Sequence, residues 1–591
     1  MGLLQKPHRT DLLLIAGGAM LLRLAMLPWA QTVQADAVSR IHIALEWLQD
    51  PHWITHGYWG PLHHYLNALF MLVFPGKALG PQMLSVLAAS LTAIPLYGFT
   101  LKVFGSRRGA VFAALLYVFS PIALWTSLQA LSEVTYGFFL ASALFALSLN
   151  QGQPGAWRSA AVAGLLMTCA AATRYEAWVL IAALSLVAFL LHGWRIAVVF
   201  WACAMLFPAV WMAGNQIEFG DALYSVNQND EWNMGKEGIN DDVTKATRIQ
   251  RVIFFGWSFV LNSSPVCALL LLLATAIAVV RRKLTRPQWI WLIPFAAMAL
   301  IFQKKAWEGS LMLHHRFVVT WLILLLPFVA LVFTVLRSRA IHRVIMPLGV
   351  IITLPFAFLF GKIDFTKLLG ERALSTAMDG LVLGHYREVQ VVPRLYGNDT
   401  EGLLTVINAQ TRAGDGLILD FHAWDASYYI LLHALPNTMV VGGAKHEGFK
   451  PEEAVELLAT HKQGVMVFSR TGMLQHMVEW RGGVMRLQGI EMPLAVSEPI
   501  ALRGTRLFQY RVIATDDSLA KASEAEPLRA VLPAAKDLEY YDQLIRGDEA
   551  WFASVRRQAF WKRESIDEAL RRNAEYMIWL DDQTSPKSDS P

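Results

Sequence analysis

The stretch Gln31–Tyr65, QTVQADAVSRIHIALEWLQDPHWITHGYWGPLHHY, follows the first apolar segment of the chain. An acidic residue, Asp36, stands a few positions past that segment. Two amphipathic pieces rich in Trp, Tyr and His come next. This is more polar and aromatic design than a simple connector needs. The rest of the sequence shows what such a loop is attached to.

Of 591 residues, 55% are hydrophobic and 16% charged, against about 25% charged in soluble domains. With a mean hydropathy of +0.39, the chain reads as an integral membrane protein. Its Cys169, Cys203 and Cys267 lie in apolar segments with no CxxC or metal-ligand spacing, and read as small hydrophobes. Spans need roughly 20 apolar residues each. Segments near 11–30, 81–103, 110–127, 134–150, 159–174, 177–192, 196–214, 253–280, 288–303, 317–336 and 344–361 qualify, which gives about eleven. Arg23 interrupts the first of them, so it is read as an uncleaved helix rather than a signal peptide.

Charge orients the bundle. Lys6/Arg9, Arg107/Arg108, Arg158, Arg195, Arg281–Lys283 and Arg337/Arg339/Arg343 fall on alternate connections. By the positive-inside rule these are cytoplasmic, and so is the N-terminus. An odd span count puts the C-terminal part on the far side, periplasmic or extracellular. Past residue 361 the composition turns soluble. Gly416–Asp420, Thr438–Val441 and Gly464–Ser469 read as strands, Ser427–His433 and Pro451–His461 as helices, and Thr505–Ile513 as a late edge strand. The fold class is therefore a polytopic α-helical membrane domain, 1–361, followed by a soluble α/β domain, 362–532. A helical tail, 533–582, and a disordered end, 583–591, complete the expected organisation.

The polar residues that could carry chemistry all fall on far-side connections. Asp36 can be a helix N-cap or a general base facing the bundle. Glu133 opens a helix, where a carboxylate suits the dipole; it can equally hold an acceptor or a metal. Arg174, between two short spans, suits a phosphate or an internal pair with Glu133 or Glu176. Arg316, after His314 and His315, is a second phosphate cation or an interfacial anchor. Arg23, a charge inside a membrane helix, marks a site or snorkels outward. Tyr58, His64, Tyr65, Tyr175, Glu176 and His315 could line a substrate cleft, with an interfacial aromatic belt as the alternative for the aromatics. Asp420, His422, Trp424 and Asp425 follow a strand and are read as structural. The long 215–251 connection could be a mobile cover.

These residues resemble the GT-C membrane glycosyltransferases, in the branch of protein O-mannosyltransferases and bacterial aminoarabinose transferases. The resemblance covers about residues 10–340. It rests on Leu22-Arg23-Leu24 before Asp36, Gly60-Pro61-Leu62-His63-His64-Tyr65, the turn Phe104–Ala110, Ser120-Pro121, Ser132-Glu133 through Tyr136, Thr173-Arg174-Tyr175-Glu176-Ala177-Trp178, and His315-Arg316-Phe317. It departs from the family where Asp36 is followed by Ala37 rather than a second acid, and where Gly60-Pro61 replaces His-Pro.

The resemblance implies a donor sugar on a polyprenyl phosphate and an inverting transfer, on the extracytoplasmic face, to a hydroxyl of a glycan, lipid or protein. Asp36 would be the base. Arg174 and Arg316, with Arg23 behind them, would hold the donor phosphate, and Glu133 the acceptor or a divalent ion. No resident cofactor is expected beyond that open cation; membrane lipids are partners and nucleic acid is not. The expected location is a bacterial inner membrane. A transporter or flippase for a lipid-linked glycan predicts inverted repeats and midplane charges, and neither is visible. A non-catalytic envelope assembly protein is the other alternative.

Overall fold

In a computed structural model, the residues described are 6–27, 35–237, 245–263, 265–282, 284–335, 339–360, 400–420, 424–436, 438–442, 451–469, 478–481, 484–487, 492–502, 505–513, 538–547, 551–552, 555, 565–571 and 573–574. The expected disordered end, 583–591, lies outside them, as do residues 238–244 of the expected cover. Two compact units emerge: residues 1–32 with 39–389, and the short piece 33–38 with 390–591.

The first unit is helical. It begins with α1 (Lys6–Met26), α2 (Ala35–Gln49), α3 (Leu62–Val73) and α4 (Leu79–Phe104). At 26 residues and 1.5 Å per residue, α4 is about 39 Å long, more than the hydrocarbon core requires. It stops at Gly105, whose left-handed φ of 65° lets its N–H return to Leu101. Around α4 pack α1, α3, α5 (Arg107–Phe119), α6 (Pro121–Leu128) and α7 (Ser132–Ser148). Ser106 caps α5 by accepting from the Gly109 N–H at 3.1 Å.

Four more helices follow: α8 (Ala156–Ala171), α9 (Glu176–His192), α10 (Trp194–Ala204) and α11 (Leu206–Phe219). A surface helix, α12 (Tyr224–Glu237), then leads to α13 (Lys245–Ser263), α14 (Pro265–Val280), α15 (Arg286–Ile290) and α16 (Ile293–Glu308). A 3₁₀ turn, His315–Phe317, runs into α17 (Val318–Leu325), a second 3₁₀ turn, Leu326–Ala330, and α18 (Leu331–Val335); α19 (Arg339–Phe360) closes the unit.

All eleven segments expected from hydropathy hold helix. Among the described residues, Leu79–Phe104 and His315–Val335 are long and apolar enough to cross a membrane; two bent pairs raise that to four at most. The sequence reading differs from the structure in where the runs break: 288–303 falls into α15 and α16, 317–336 is interrupted by a 3₁₀ turn, and three more runs divide as follows. Segment 110–127 is two helices bent by 53° at Ser120-Pro121, and 196–214 is two bent by 47° at Met205. Proline explains both, Pro121 in the first and Pro208 in the second: it has no N–H to give and its ring crowds the preceding turn. Segment 253–280 is α13, which starts earlier at Lys245, and α14.

The second unit holds an eight-stranded mixed sheet in the order β2-β1-β3-β8-β6-β5-β4, with β7 also on β8. The strands are β1 (Gly416–Asp420), β2 (Thr438–Gly442), β3 (Gln463–Ser469), β4 (Val478–Arg481), β5 (Val484–Leu487), β6 (Leu494–Val496), β7 (Ile500–Leu502) and β8 (Thr505–Val512). β1 pairs in parallel with β2 and β3, while β8 runs antiparallel to β3.

Side chains alternate across this sheet. Ile418, Met466, Phe468 and Phe508 face α22 (Pro451–Thr460) through Leu457 and Leu458. Leu417, Leu419, Val465, Val467 and Leu507 meet α20 (Thr400–Gln410) and α21 (Trp424–His433) through Ile407 and Ile430. Both faces are apolar because both are covered. Beyond the sheet, Tyr541 and Ile545 of α23 (Leu538–Gly547) cluster with Val555, Ala569, Leu570 and Ala574.

Candidate functional site

The bundle gathers residues from distant connections around one carboxylate. Glu133 opens α7 and its side chain is 3% exposed. Arg174, in the turn between α8 and α9, places Nη1 2.7 Å from Glu133 Oε1. Arg316, in the 3₁₀ turn before α17, places Nε 3.1 Å from the same oxygen. Arg174 also donates from Nη2 to Glu176 Oε1 at 2.7 Å and from Nη1 to Ser132 Oγ at 3.1 Å. Both guanidiniums lie against Phe317, 5.3 and 5.5 Å from its ring centre. Burial works against the charge of Arg174, but Glu133 and Glu176 outweigh it and push its pKa up. A buried carboxylate between two guanidiniums is held ionised.

Arg40, on α2, joins this cluster. It is buried, its charge acts on Glu133, and its guanidinium lies 4.8 Å from the centre of the Trp59 ring. The charges of Arg40, Arg174 and Arg316 all act on Glu133, and Glu176 adds a second carboxylate beside Arg174. Sequence reading missed Arg40. The signal was there: it stands one helical turn after Asp36, on the same face of α2. Asp36 itself sits half-buried in the first turn of α2, within the short piece 33–38 that groups with the second unit.

The other candidates spread out. Arg23 is fully buried away from this cluster. It donates to Ser127 Oγ at 3.0 Å, Ala19 O at 3.2 Å and Val118 O at 3.4 Å. Val118 O lies just before the α5–α6 break and Ser127 on α6, while Ala19 O is one turn back on α1, so Arg23 joins α1 to both halves of the bent pair. His315 shares a 2.7 Å hydrogen bond with Ser258 Oγ and its ring lies 4.6 Å from that of Phe254. Tyr65 accepts from the Ile54 N–H at 2.8 Å and packs on Trp47 at 5.0 Å. His64 lies 3.4 Å from Arg40 O, and its ring 6.2 Å from that of Trp59. Tyr175 donates to Tyr58 O at 2.9 Å, and Tyr58 to Asn229 Oδ1 at 3.1 Å. His63, in the same aromatic and histidine run, is buried between Thr135 Oγ1 at 3.2 Å and Ala130 O at 3.3 Å.

The fit to a divalent ion is poor. Among the described residues, no three His, Cys, Asp or Glu side chains gather as metal ligands. Glu133 spends its carboxylate on two arginines. No step is routed through a metal.

With this geometry in view, known proteins can be compared. A family model described as dolichyl-phosphate-mannose-protein mannosyltransferase matches residues 56–213. The crystal structure of ArnT from Cupriavidus metallidurans bound to undecaprenyl phosphate is 13% identical with a TM-score of 0.56, over 84% of this chain and 97% of that one. The same protein in the apo state gives 0.54 at 13% identity, over 84% and 97%. The Archaeoglobus fulgidus oligosaccharyltransferase, complexed with Zn and sulfate, is looser: 16% identity and a TM-score of 0.44, over 77% of this chain and 68% of that one. Among curated proteins none matches. The family model matches one part of the membrane unit, and the fold of the chain is similar to that of ArnT.

Proposed function

We propose that this GT-C-fold chain is a membrane glycosyltransferase that moves a sugar from a polyprenyl-phosphate donor to a hydroxyl acceptor. The observation that carries the reading is the cluster of Arg40, Arg174 and Arg316 around Glu133 and Glu176, which holds three guanidiniums at one place in the bundle. It stands at helix ends assigned to the far side of the membrane, within the fold of a protein crystallised with undecaprenyl phosphate. A leaving lipid phosphate needs cations held in a site that excludes water.

The reaction balances simply. The acceptor oxygen attacks the anomeric carbon while the bond from that carbon to the phosphate oxygen breaks. The configuration inverts and the polyprenyl phosphate leaves. Asp36 takes the acceptor proton; the register of α2 supports this, since Asp36 lies one turn from Arg40. General-base assistance is worth about 10²–10⁴-fold. Arg174 and Arg316 receive the phosphate charge. Glu133 and Glu176 fix the guanidiniums in place rather than touching the acceptor.

The membrane domain, 1–361, acts from a bacterial inner membrane with a cytoplasmic N-terminus. The 362–532 domain and the 533–582 tail lie in the periplasm. The test is mass spectrometry of cell-envelope glycans with and without the protein. A sugar addition that disappears with the protein and returns with its gene supports the reading. An unchanged glycan profile overturns it.

A further inference from the structure

The segment 54–62 of the first loop is fastened at almost every residue, by four different elements. The Ile54 N–H goes to Tyr65. A Cβ on Gly214 of α11 would run into the Thr55 carbonyl, so the close approach of loop to helix depends on glycine. The peptide groups of Gly57 are clamped on both sides. Its N–H donates to Asn215 Oδ1 at 3.1 Å, and its carbonyl accepts from Ser225 Oγ. Ser225 Oγ also accepts from Trp211 Nε1 at 3.0 Å and Asn215 Nδ2 at 2.8 Å. Asn215, Ser225 and Trp211 are all at most 1% exposed. Gly57 itself has a φ of +122°, which only glycine adopts without strain. Further along, Tyr175 holds Tyr58 O, and the Leu62 N–H donates to Ala172 O at 3.1 Å.

Such a network is costly to bury unless fully satisfied, and besides joining α11 to α12 through Ser225 it reaches out to the loop at Gly57. What it fixes is Trp59, one residue past Tyr58, with Arg40 over its ring. We propose that Asn215 and Ser225 are positioning residues: by clamping Gly57 they hold Trp59, and through it Arg40, in register with the Glu133–Arg174–Arg316 cluster. This rests on the transferase reading given above. A displacement of about 1 Å at a reacting centre can cost on the order of 10²-fold in rate.

The test uses the full chain in detergent and in a strain deleted for its gene. Asn215→Ala and Ser225→Ala should raise hydrogen exchange across residues 55–60 by about tenfold or more, leaving α4 and α7 protected. Complemented cells should lose about 10–10²-fold of the envelope sugar addition. Affinity for undecaprenyl phosphate, used alone as the probe, should stay within about threefold, since the clamp acts on Arg40 and touches neither Arg174 nor Arg316, the two residues that receive the phosphate. Asn233→Ala is the control: on the same helix it removes a buried bond to Ser310 O, of 3.3 Å, outside the clamp. It should leave both exchange at 55–60 and sugar addition within about twofold.

Where the alanine variants do not fold, Gly214→Ala displaces the same segment without removing a polar group and should give the same pattern. Unchanged exchange at 55–60, wild-type sugar addition, or a lipid affinity that falls as far as transfer would each overturn the proposal. Should wild-type cells show no sugar addition at all, the transferase reading fails, and the exchange result still decides whether the clamp exists.

Discussion

Arg174 Nη1 lies 2.7 Å from Glu133 Oε1, although one residue follows α8 and the other opens α7. With Arg316 at 3.1 Å on the same oxygen, this pair is the hinge between the stability of the bundle and its proposed chemistry. Removing either charge strands the other in a buried place.

Glu133→Gln leaves two buried guanidiniums short of a carboxylate. Breaking a buried pair from one side costs on the order of 3–5 kcal/mol. Thermal unfolding in detergent should show a large drop in midpoint, and Glu133→Asp a smaller one. An unchanged midpoint would mean that the pair is not formed as described.

Arg174→Lys keeps the charge but loses the fork that serves Glu133, Glu176 and Ser132 together. Sugar transfer should fall about 10²–10³-fold, as for loss of a preorganised donor. Measured per folded molecule, activity near wild type would remove Arg174 from the donor site.

Arg23 is expected to behave differently, despite its place among the phosphate-binding candidates in the sequence. Its bonds to Val118 O and Ser127 Oγ tie α1 to α5 and α6 on either side of their break. Arg23→Met should cost about 1–3 kcal/mol through unsatisfied backbone. The folded fraction should transfer sugar at close to the wild-type rate. A loss of turnover in fully folded protein would return Arg23 to the donor site.

Lys77 gives a pH signature. It lies in the turn between α3 and α4, and burial pushes its pKa down to about 8. The folded state therefore binds fewer protons than the unfolded state from about pH 8 up to the ordinary lysine range. The penalty of the buried charge is fully present below pH 8, and stability rises with pH through that window. Lys77→Met should unfold at a higher temperature than wild type at pH 7, with the gap narrowing by pH 9.5. A gap independent of pH would contradict the burial of the charge.

Much of this fold is legible along the chain. Apolar runs long enough to name themselves coincide with helices, as 81–103 with α4 and 177–192 with α9. Gly416–Asp420 is strand in both readings, because β-branched and aliphatic residues bounded by polar turns leave little choice. Breaks inside apolar runs are less legible. Both bends are advertised by proline, Pro121 at the start of α6 and Pro208 in the first turn of α11, but a proline in an apolar run fits a kinked span as well as two helices.

The candidate site divides along the same line. Glu133, Arg174, Glu176 and Arg316 stand out as charges beside apolar runs, which makes them visible singly and as a set on one side of the membrane. Arg40 is hidden because an arginine on an amphipathic helix looks like solvated surface. Asn215 and Ser225 are hidden for a deeper reason. Their meaning lies in a hydrogen bond to Gly57, far away in sequence, and amide and hydroxyl groups carry no pattern until the chain has folded.

The central claim is that Asp36 accepts the acceptor's proton. Its direct test is Asp36→Asn, scored by envelope glycan mass spectrometry in cells lacking the native gene, with expression and undecaprenyl phosphate binding measured alongside. The account predicts a loss of sugar addition of about 10²-fold or more, with expression and lipid binding intact. Full sugar addition in that variant would contradict it.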